Sequence, residues 1–394
     1  MKDIKFLWRE NYIDYLWATE TTGRHYFIDS GYFIYTDGVL AAYATKEEIK
    51  KSKVDTKHLI DNPEKILDIK NNFDEIKLTI DAYHKIFSDL NLSKLSNKEI
   101  YDIYIQIIGL YGKFIEAYKF TEPHMVDHVE NKVKRIVEGA GSSKNTNIIL
   151  SEILSNRSSL SKYGLENYRN VFNLVTSVAK VRFDAKTITS ELLEDTERLL
   201  AETSLRTFYA VNQVSNMSLK ELRSLLVDSK NVDIKKINTR IKKFGIVVTV
   251  KGKKAGITDM TYKKIRSIEK IDKENNGRIT GDSVYPGKVI GIVRLVPKIF
   301  SQKEYNEFIS TLKKGDIIVA PMTSPGLTPG FSKVSGVITD EGGLMSHAAL
   351  VSREKKVPCV VGTKNATQIL KEGTKIELDA NEGVIKVRQY HENT

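Results

Sequence analysis

From about residue 281 onward the chain is written in short β-branched runs separated by glycine turns: KVIGIVRLV, GDIIVA, GVIT, PCVVG, KIELDA and GVIKV. Such runs are too short for helices and too apolar for surface loops, so they predict buried strands. Helical patterns stand between some of them. A compact α/β domain over 281–394, with its own core, is the architecture this alternation permits.

The preceding chain has a different texture. Residues 1–60 are dense in aromatics (Phe6, Trp8, Tyr15, Trp17, Tyr32, Phe33 and Tyr35 among them), which predicts a short helix and then one or two strands packed on the helical region. Residues 61–270 are mainly helical in pattern. IYDIYIQIIGLYGKFIEAY is apolar around most of its circumference, as suits a helix packed between others. Pro123 stands where a first helical residue would. Ser218 and Glu221 form a capping box, and Asp233 precedes another helix that Gly245 is expected to end. IVVTVKGKKAGIT then reads as a hairpin, Gly139–Asn145 as a loop, and the polar, glycine-bearing stretch 271–287 as a linker or hinge. The fold class is therefore α+β and multidomain, a mostly helical N-terminal region followed by the α/β domain.

Composition narrows the function classes. The net charge is +11, but the lysines are spread along helices beside acids, as in KKIRSIEKIDKE, with no dense basic block carrying aromatics. That pattern predicts a solvated surface and no nucleic-acid partner. No apolar run approaches the roughly 20 residues of a bilayer span, so no membrane partner is expected. The N-terminus is interrupted by charges and lacks a signal-peptide core. The one cysteine, Cys359, leaves no intrachain disulfide. Cytoplasmic residence is the expectation.

One stretch of the α/β domain carries chemistry: Gly336-Val-Ile-Thr-Asp-Glu-Gly342-Gly343-Leu-Met345-Ser346-His347-Ala348-Ala-Leu-Val351. GVIT reads as a strand, Gly342 and Gly343 as a turn, and Ser346 as the cap of a helix that opens with His347. A helix N-terminus holds anions through its free N–H groups and its dipole. Neutral imidazole is nucleophilic near pH 7. Together these point to a phosphoryl-carrying histidine, with Gly342, Gly343, Ser346 and the N–H of Ala348 as phosphate-binding groups. Arg353, six residues on, is either a further phosphate ligand or the partner of an acid such as Glu354 or Asp379. The stiffened loop PMTSPGLTPG follows the strand GDIIVA and offers Thr323 to a phosphate. A second, weaker constellation lies at 120–130, where His124 and His128, four apart, share a helix face behind Glu122. It is a candidate acceptor-binding face. Asp127 and Glu130 are near, but no zinc spacing is present and no metal is expected on this chain.

The pieces GKVIGIVRLV, GDIIVAPMTSP, GVITDEGGLMSHAALVSREKKVPCVVGT and GTKIELDANEGVIKV resemble the swivelling phosphohistidine domain, or mobile domain, of the phosphoenolpyruvate-utilising enzymes. The resemblance covers about Gly281 to Val387 and implies that His347 is the phosphorylated residue, on a domain that swings between a nucleotide site and an acceptor site. The pyruvate enzymes of that group carry Thr two residues before the histidine. Met345 here is similar to the rifampin phosphotransferase form, which argues against pyruvate as acceptor. No ATP-grasp domain and no pyruvate barrel is recognisable. The resemblance therefore implies a phosphoryl-carrier component served by a separate ATP-grasp protein. ATP and Mg²⁺ would be on that partner, and a small-molecule acceptor in the helical region. A non-catalytic binding or regulatory protein that keeps the domain is the alternative.

Overall fold

The computed structural model describes residues 4–11, 14–22, 30–36, 39–62, 64–140, 146–156, 158–249, 255–256, 279–297 and 302–388. Its strands are β1 Ile4–Asn11, β2 Ser30–Thr36, β3 Val39–Thr45, β4 Lys243–Thr249, β5 Ala255–Gly256, β6 Ile279–Thr280, β7 Asp282–Tyr285, β8 Lys288–Leu295, β9 Asp316–Ala320, β10 Gly336–Thr339, β11 Cys359–Val361, β12 Lys375–Asp379 and β13 Val384–Val387. Its longer helices are α1 Lys46–Asp61, α2 Glu64–Ser88, α3 Asn97–Tyr118, α4 Pro123–Ala140, α5 Thr146–Ser155, α6 Arg169–Thr207, α7 Leu219–Leu226, α8 Ile234–Lys242, α9 Gln302–Thr311 and α10 His347–Lys355. Among the described residues no helix is long and apolar enough to cross a membrane.

The chain forms two compact units, each gathered from three segments. One comprises Met1–Asp55, Leu67–Phe120 and Thr187–Ile268; the other comprises Thr56–Ile66, Thr121–Lys186 and Glu269–Thr394. These units cut across the linear division at residues 61 and 281. The helices between 121 and 186 fall with the α/β domain instead of with the other helices.

In the first unit β1 to β5 make an antiparallel sheet in the order β1-β3-β2-β4-β5. The chain opens with a strand where aromatic density predicts a short helix. Ile4 and Phe6 alternate with polar or outward residues at the two-residue period of a strand, and the helical turns come later, at Tyr15–Trp17 and Ala18–Thr22. A bulge between Phe6 and Trp8 shifts the register against β3, so Phe6 meets Tyr43 at 5.7 Å while Trp8 lies 5.9 Å from Phe33.

Helix α3 buries residues around most of its circumference, as its sequence requires, and is capped reciprocally by Ser96 and Glu99. The Ser218–Glu221 capping box forms too, and Glu221 also receives both Nη atoms of Arg240, at 2.6 and 3.1 Å. Helix α8 ends at Lys242, before Gly245. That glycine is inside β4, opposite Ile34, because the β-branched run beside it pairs with β2. Strands β4 and β5 pair as the expected hairpin, whose tip is outside the described residues.

The second unit holds an eight-stranded mixed sheet in the order β6-β13-β12-β8-β9-β10-β11-β7. Strands β8, β9, β10 and β11 run parallel, and the flanking pairs are antiparallel. Its core joins Val293, Ile317, Val319, Ile338, Val360, Ile376 and Leu378. The stretch 271–287 is only partly described, but from Ile279 it is sheet and not linker. Ile279–Thr280 pairs with β13 and Asp282–Tyr285 with β11, so these two strands close the sheet on itself. Ile279 and Val284 are buried at that seam.

One polar contact in the first unit is sensitive to pH. Asp195 on α6 is 1% exposed and accepts from His84 Nδ1 of α2 at 2.9 Å, while its Oδ2 has no hydrogen bond among the described residues. Desolvation pulls the His84 pKa down, but the bond to Asp195 and its charge outweigh this and leave it raised. The Asp195 pKa is also raised, chiefly by burial. Both shifts have one sign: the stability they contribute is present in weak acid and lost as pH rises through the folded values. Denaturation of the full chain should therefore show stability being lost as pH rises from the ordinary histidine value of 6.5 through the raised value of the folded His84. In His84→Gln this slope should flatten.

Candidate active site

Strands β9 and β10 are wholly buried and lie in parallel register, with Ala320 opposite Thr339. The chain therefore leaves the sheet at one edge twice, once into Pro321–Ser324 and once into the turn 340–346. Backbone bonds tie the two exits together: Asp340 N–H donates to Ala320 O at 3.1 Å, and Glu341 N–H to Pro321 O at 2.9 Å. The Asp340 carboxylate, buried, accepts from Thr363 Oγ1 at 3.2 Å and Thr367 N–H at 3.0 Å, with the Thr367 hydroxyl as a third donor. The turn then reaches Ser346, whose hydroxyl caps α10 by accepting Ala349 N–H at 3.2 Å.

His347 is the first residue of α10 and is 6% exposed. Its Nδ1 is 2.7 Å from Thr323 Oγ1, and its Nε2 is 3.5 Å from Thr328 Oγ1. The Phe183 ring of α6 is stacked on the imidazole, 5.3 Å between centroids and 9° from parallel. Burial lowers the His347 pKa to about 4, with the Lys186 charge adding to the shift. The positive end of α10 acts in the same direction. The ring is therefore neutral at physiological pH, dry, and close to a cation.

The turn has an anionic neighbour. Glu130 of α4 accepts Met345 N–H at 3.3 Å and is also bonded by the N–H of Leu344. Gly343 makes this approach possible: a Cβ there would stand 2.6 and 2.9 Å from the two Glu130 oxygens. Gly342 has φ +123°, a conformation that suits glycine. Burial raises the Glu130 pKa, opposed by Lys134 and the two amides and reinforced by Asp282, while Lys134 itself pairs with Asp282 at 2.7 Å.

The structure thus brings His347, Thr323, Gly342, Gly343, Ser346 and Ala348 together on two adjoining loops and one helix start. Arg353 is buried, and its Nη2 donates to Leu344 O at 2.9 Å, bracing the turn from behind. The acids considered for it are engaged by lysines, Glu354 by Lys355 at 3.7 Å and Asp379 by Lys288 at 3.2 Å. Glu122 lies 3.6 Å from Arg182, which also donates to Thr121 O. His124 and His128 are half-buried on α4. Among the described residues no group of three or more His, Cys, Asp or Glu could hold a metal ion. The sequence pattern singled out neither Phe183 nor Lys186, both inside an ordinary amphipathic helix, and named Glu130 only as a histidine neighbour. Only the four-residue spacing of helical faces could have drawn attention to these residues, and it says nothing about a turn more than 150 positions away.

The site is thus a strand, a glycine turn and a capped helix that presents a buried histidine. Residues 312–383 match the family model described as "PEP-utilising enzyme, mobile domain", and the resemblance carried by the histidine motif stands. The chain is 40% identical over 131 residues to a probable phosphoenolpyruvate synthase of Archaeoglobus fulgidus, covering 33% of this chain and 16% of that protein. It is 38% identical over 125 residues to a phosphoenolpyruvate synthase of Pyrococcus furiosus, 32% of this chain and 15% of the relative. It is also 40% identical over 109 residues to a rifampicin phosphotransferase of Bacillus cereus, 28% of this chain and 12% of the relative. The chain thus spans less than a fifth of the length of each.

The buried imidazole gives a direct measurement. The folded pKa lies below the ordinary histidine value of 6.5, so the cost of protonating His347 begins as pH falls through 6.5 and is complete by about 4. An NMR titration, with the resonance assigned by its loss in His347→Asn, should find the ring neutral down to about 4. Phe183→Ala should move the midpoint upward.

Proposed function

We propose that this chain is the phosphoryl-carrying component of a phosphotransferase. His347 takes a phosphoryl group from ATP, held with Mg²⁺ by an ATP-grasp protein, and delivers it to a small-molecule acceptor bound against α4 and α6. The observation that carries this reading is the environment of His347: a neutral imidazole at a capped helix start, with Nδ1 fixed by Thr323 and Lys186 close by.

The steps follow from that geometry. Thr323 Oγ1 accepts from Nδ1–H, which leaves the Nε2 lone pair as nucleophile. The nitrogen–phosphorus bond forms as the bond from phosphorus to the nucleotide's bridging oxygen breaks, and the nucleotide leaves with that electron pair. Phosphoryl transfer asks the protein mainly for position and charge neutralisation. Lys186 and the N-terminus of α10 provide the charge. In delivery an acceptor hydroxyl attacks phosphorus, the N–P electron pair returns to Nε2, and the hydroxyl proton leaves to solvent. The α/β domain would move off α4 and α6 to reach the donor and return for delivery. The resemblance to the mobile domain supports that motion, and the cytoplasm is the fitting compartment for a nucleotide-fed reaction.

The test is labelling from ATP in the presence of the ATP-grasp partner, with acid-labile phosphate as the readout. The label should vanish in His347→Ala. In Lys186→Met the rate of label loss to acceptor should fall about 100-fold. An unchanged label in His347→Ala would overturn the assignment. Absence of label in the unsubstituted chain would favour the binding-protein alternative.

A further inference from the structure

The glycine turn is built to receive an anion, and its occupant is the chain's own carboxylate. Glu130 takes the amides of Leu344 and Met345 across a face that Gly343 keeps open. Arg353 pulls from the opposite side through the Leu344 carbonyl. The turn is thereby fixed between α4 and the body of its own domain, and with it the start of α10. His347 stands two residues beyond the gripped amide, and the fixed register places it under Phe183 and near Lys186. The grip is not a strong one. Two amide bonds, helped by Lys134, hold the carboxylate against the cost of its burial and against Asp282. A contact of small net worth suits a joint that must open and close.

We propose that Glu130 is a positioning residue for the phosphoryl transfer: its seat on the Leu344–Met345 amides registers the turn so that His347 is held ready to deliver its phosphoryl group, and release of the seat readies it to receive one. This rests on the phosphoryl-carrier function proposed above. The chemistry is that of a leaving group. A poorly basic imidazole forms a weaker bond to phosphorus and leaves more readily, whereas a more basic, exposed imidazole is the better nucleophile. Seating places His347 in the first condition through burial and the neighbouring cation. Unseating returns it toward the second.

Two measurements on the full chain decide this, and neither needs the nucleotide partner or the acceptor. The first is the NMR titration of His347. Glu130→Gln nearly conserves volume but replaces one acceptor oxygen with a donor facing an N–H, and Glu130→Ala removes both oxygens. Each should shift the His347 midpoint up from about 4 toward 6.5. A purely structural role would lower stability without moving it. The second is labelling by phosphoramidate, in which the ring nitrogen displaces ammonia from phosphorus. Acid-labile label on His347 should form at least about threefold faster in both variants, a change worth roughly 0.6 kcal/mol in barrier. Gly343→Ala, which crowds the carboxylate from the other side, should reproduce both effects and stands in if Glu130→Ala does not fold. An unmoved titration together with an unmoved labelling rate in the folded variants overturns the proposal. If phosphoramidate labels no variant at all, the phosphoryl-carrier function fails, and the titration alone still decides whether Glu130 positions His347.

Discussion

Ala320 and Thr339 end adjacent parallel strands in register, and the geometry of the site follows from that pairing. Parallel strands in one sheet release their chains at the same edge. The loop carrying Thr323 and the turn leading to His347 are therefore neighbours before any side chain is considered. Two backbone bonds fix the loops to each other, and Asp340 fixes the turn to the segment at Thr363–Thr367. Thr323 and His347, 24 positions apart, can then sit 2.7 Å from each other without a long side chain reaching across. A register slip of one residue in β10 would turn Val337 and Ile338 to the wrong faces, and it would also separate the histidine from Thr323.

Burial determines the state of the ring. An exposed histidine would be partly protonated near neutrality and would lose its lone pair in proportion. Under Phe183 the charged form is disfavoured, and the Lys186 charge adds to this. The same two residues would meet a phosphoryl group quite differently. A cation that opposes a proton on the ring attracts the phosphoryl oxygens. In the proposed carrier, one arrangement would thus keep the nucleophile neutral and favour the charged product.

Legibility in the sequence followed distance along the chain. The strand, the glycine pair, the Ser346 cap and His347 are contiguous, so a local pattern was enough to place them. The capping box at Ser218 and the strands of the α/β domain were readable for the same reason. Closure of the sheet was not. The polar, glycine-bearing stretch 271–287 has the composition of a linker, and only pairing with β13 and β11, about 100 and 75 positions away, makes sheet of its described residues. The first strand was also misleading, because a bulge breaks the alternation that would have announced it. Glu130, Phe183 and Lys186 left no local signal, since a helix residue aimed at a ligand and one aimed at a neighbouring turn follow the same periodicity.

Glu130 also changes the meaning of the glycines beside it. A glycine pair before a phosphorylatable histidine suggests room for phosphate. Here Gly343 makes room for a carboxylate from another helix, and it would do so in a chain that never carried phosphate. The glycines alone therefore cannot distinguish a phosphate cradle from a docking surface. The distinction lies on the two sides of the turn. On one, the amides of Leu344 and Met345 face Glu130; on the other, Ser346 and the N–H groups opening α10 stay with the histidine. A phosphoryl group on Nε2 would lie on the Thr328 side of the ring and not on the amides that Glu130 occupies. Under the proposed carrier function the turn would be gripped and phosphorylated at once, the two conditions that a carrier docked at its acceptor would need together.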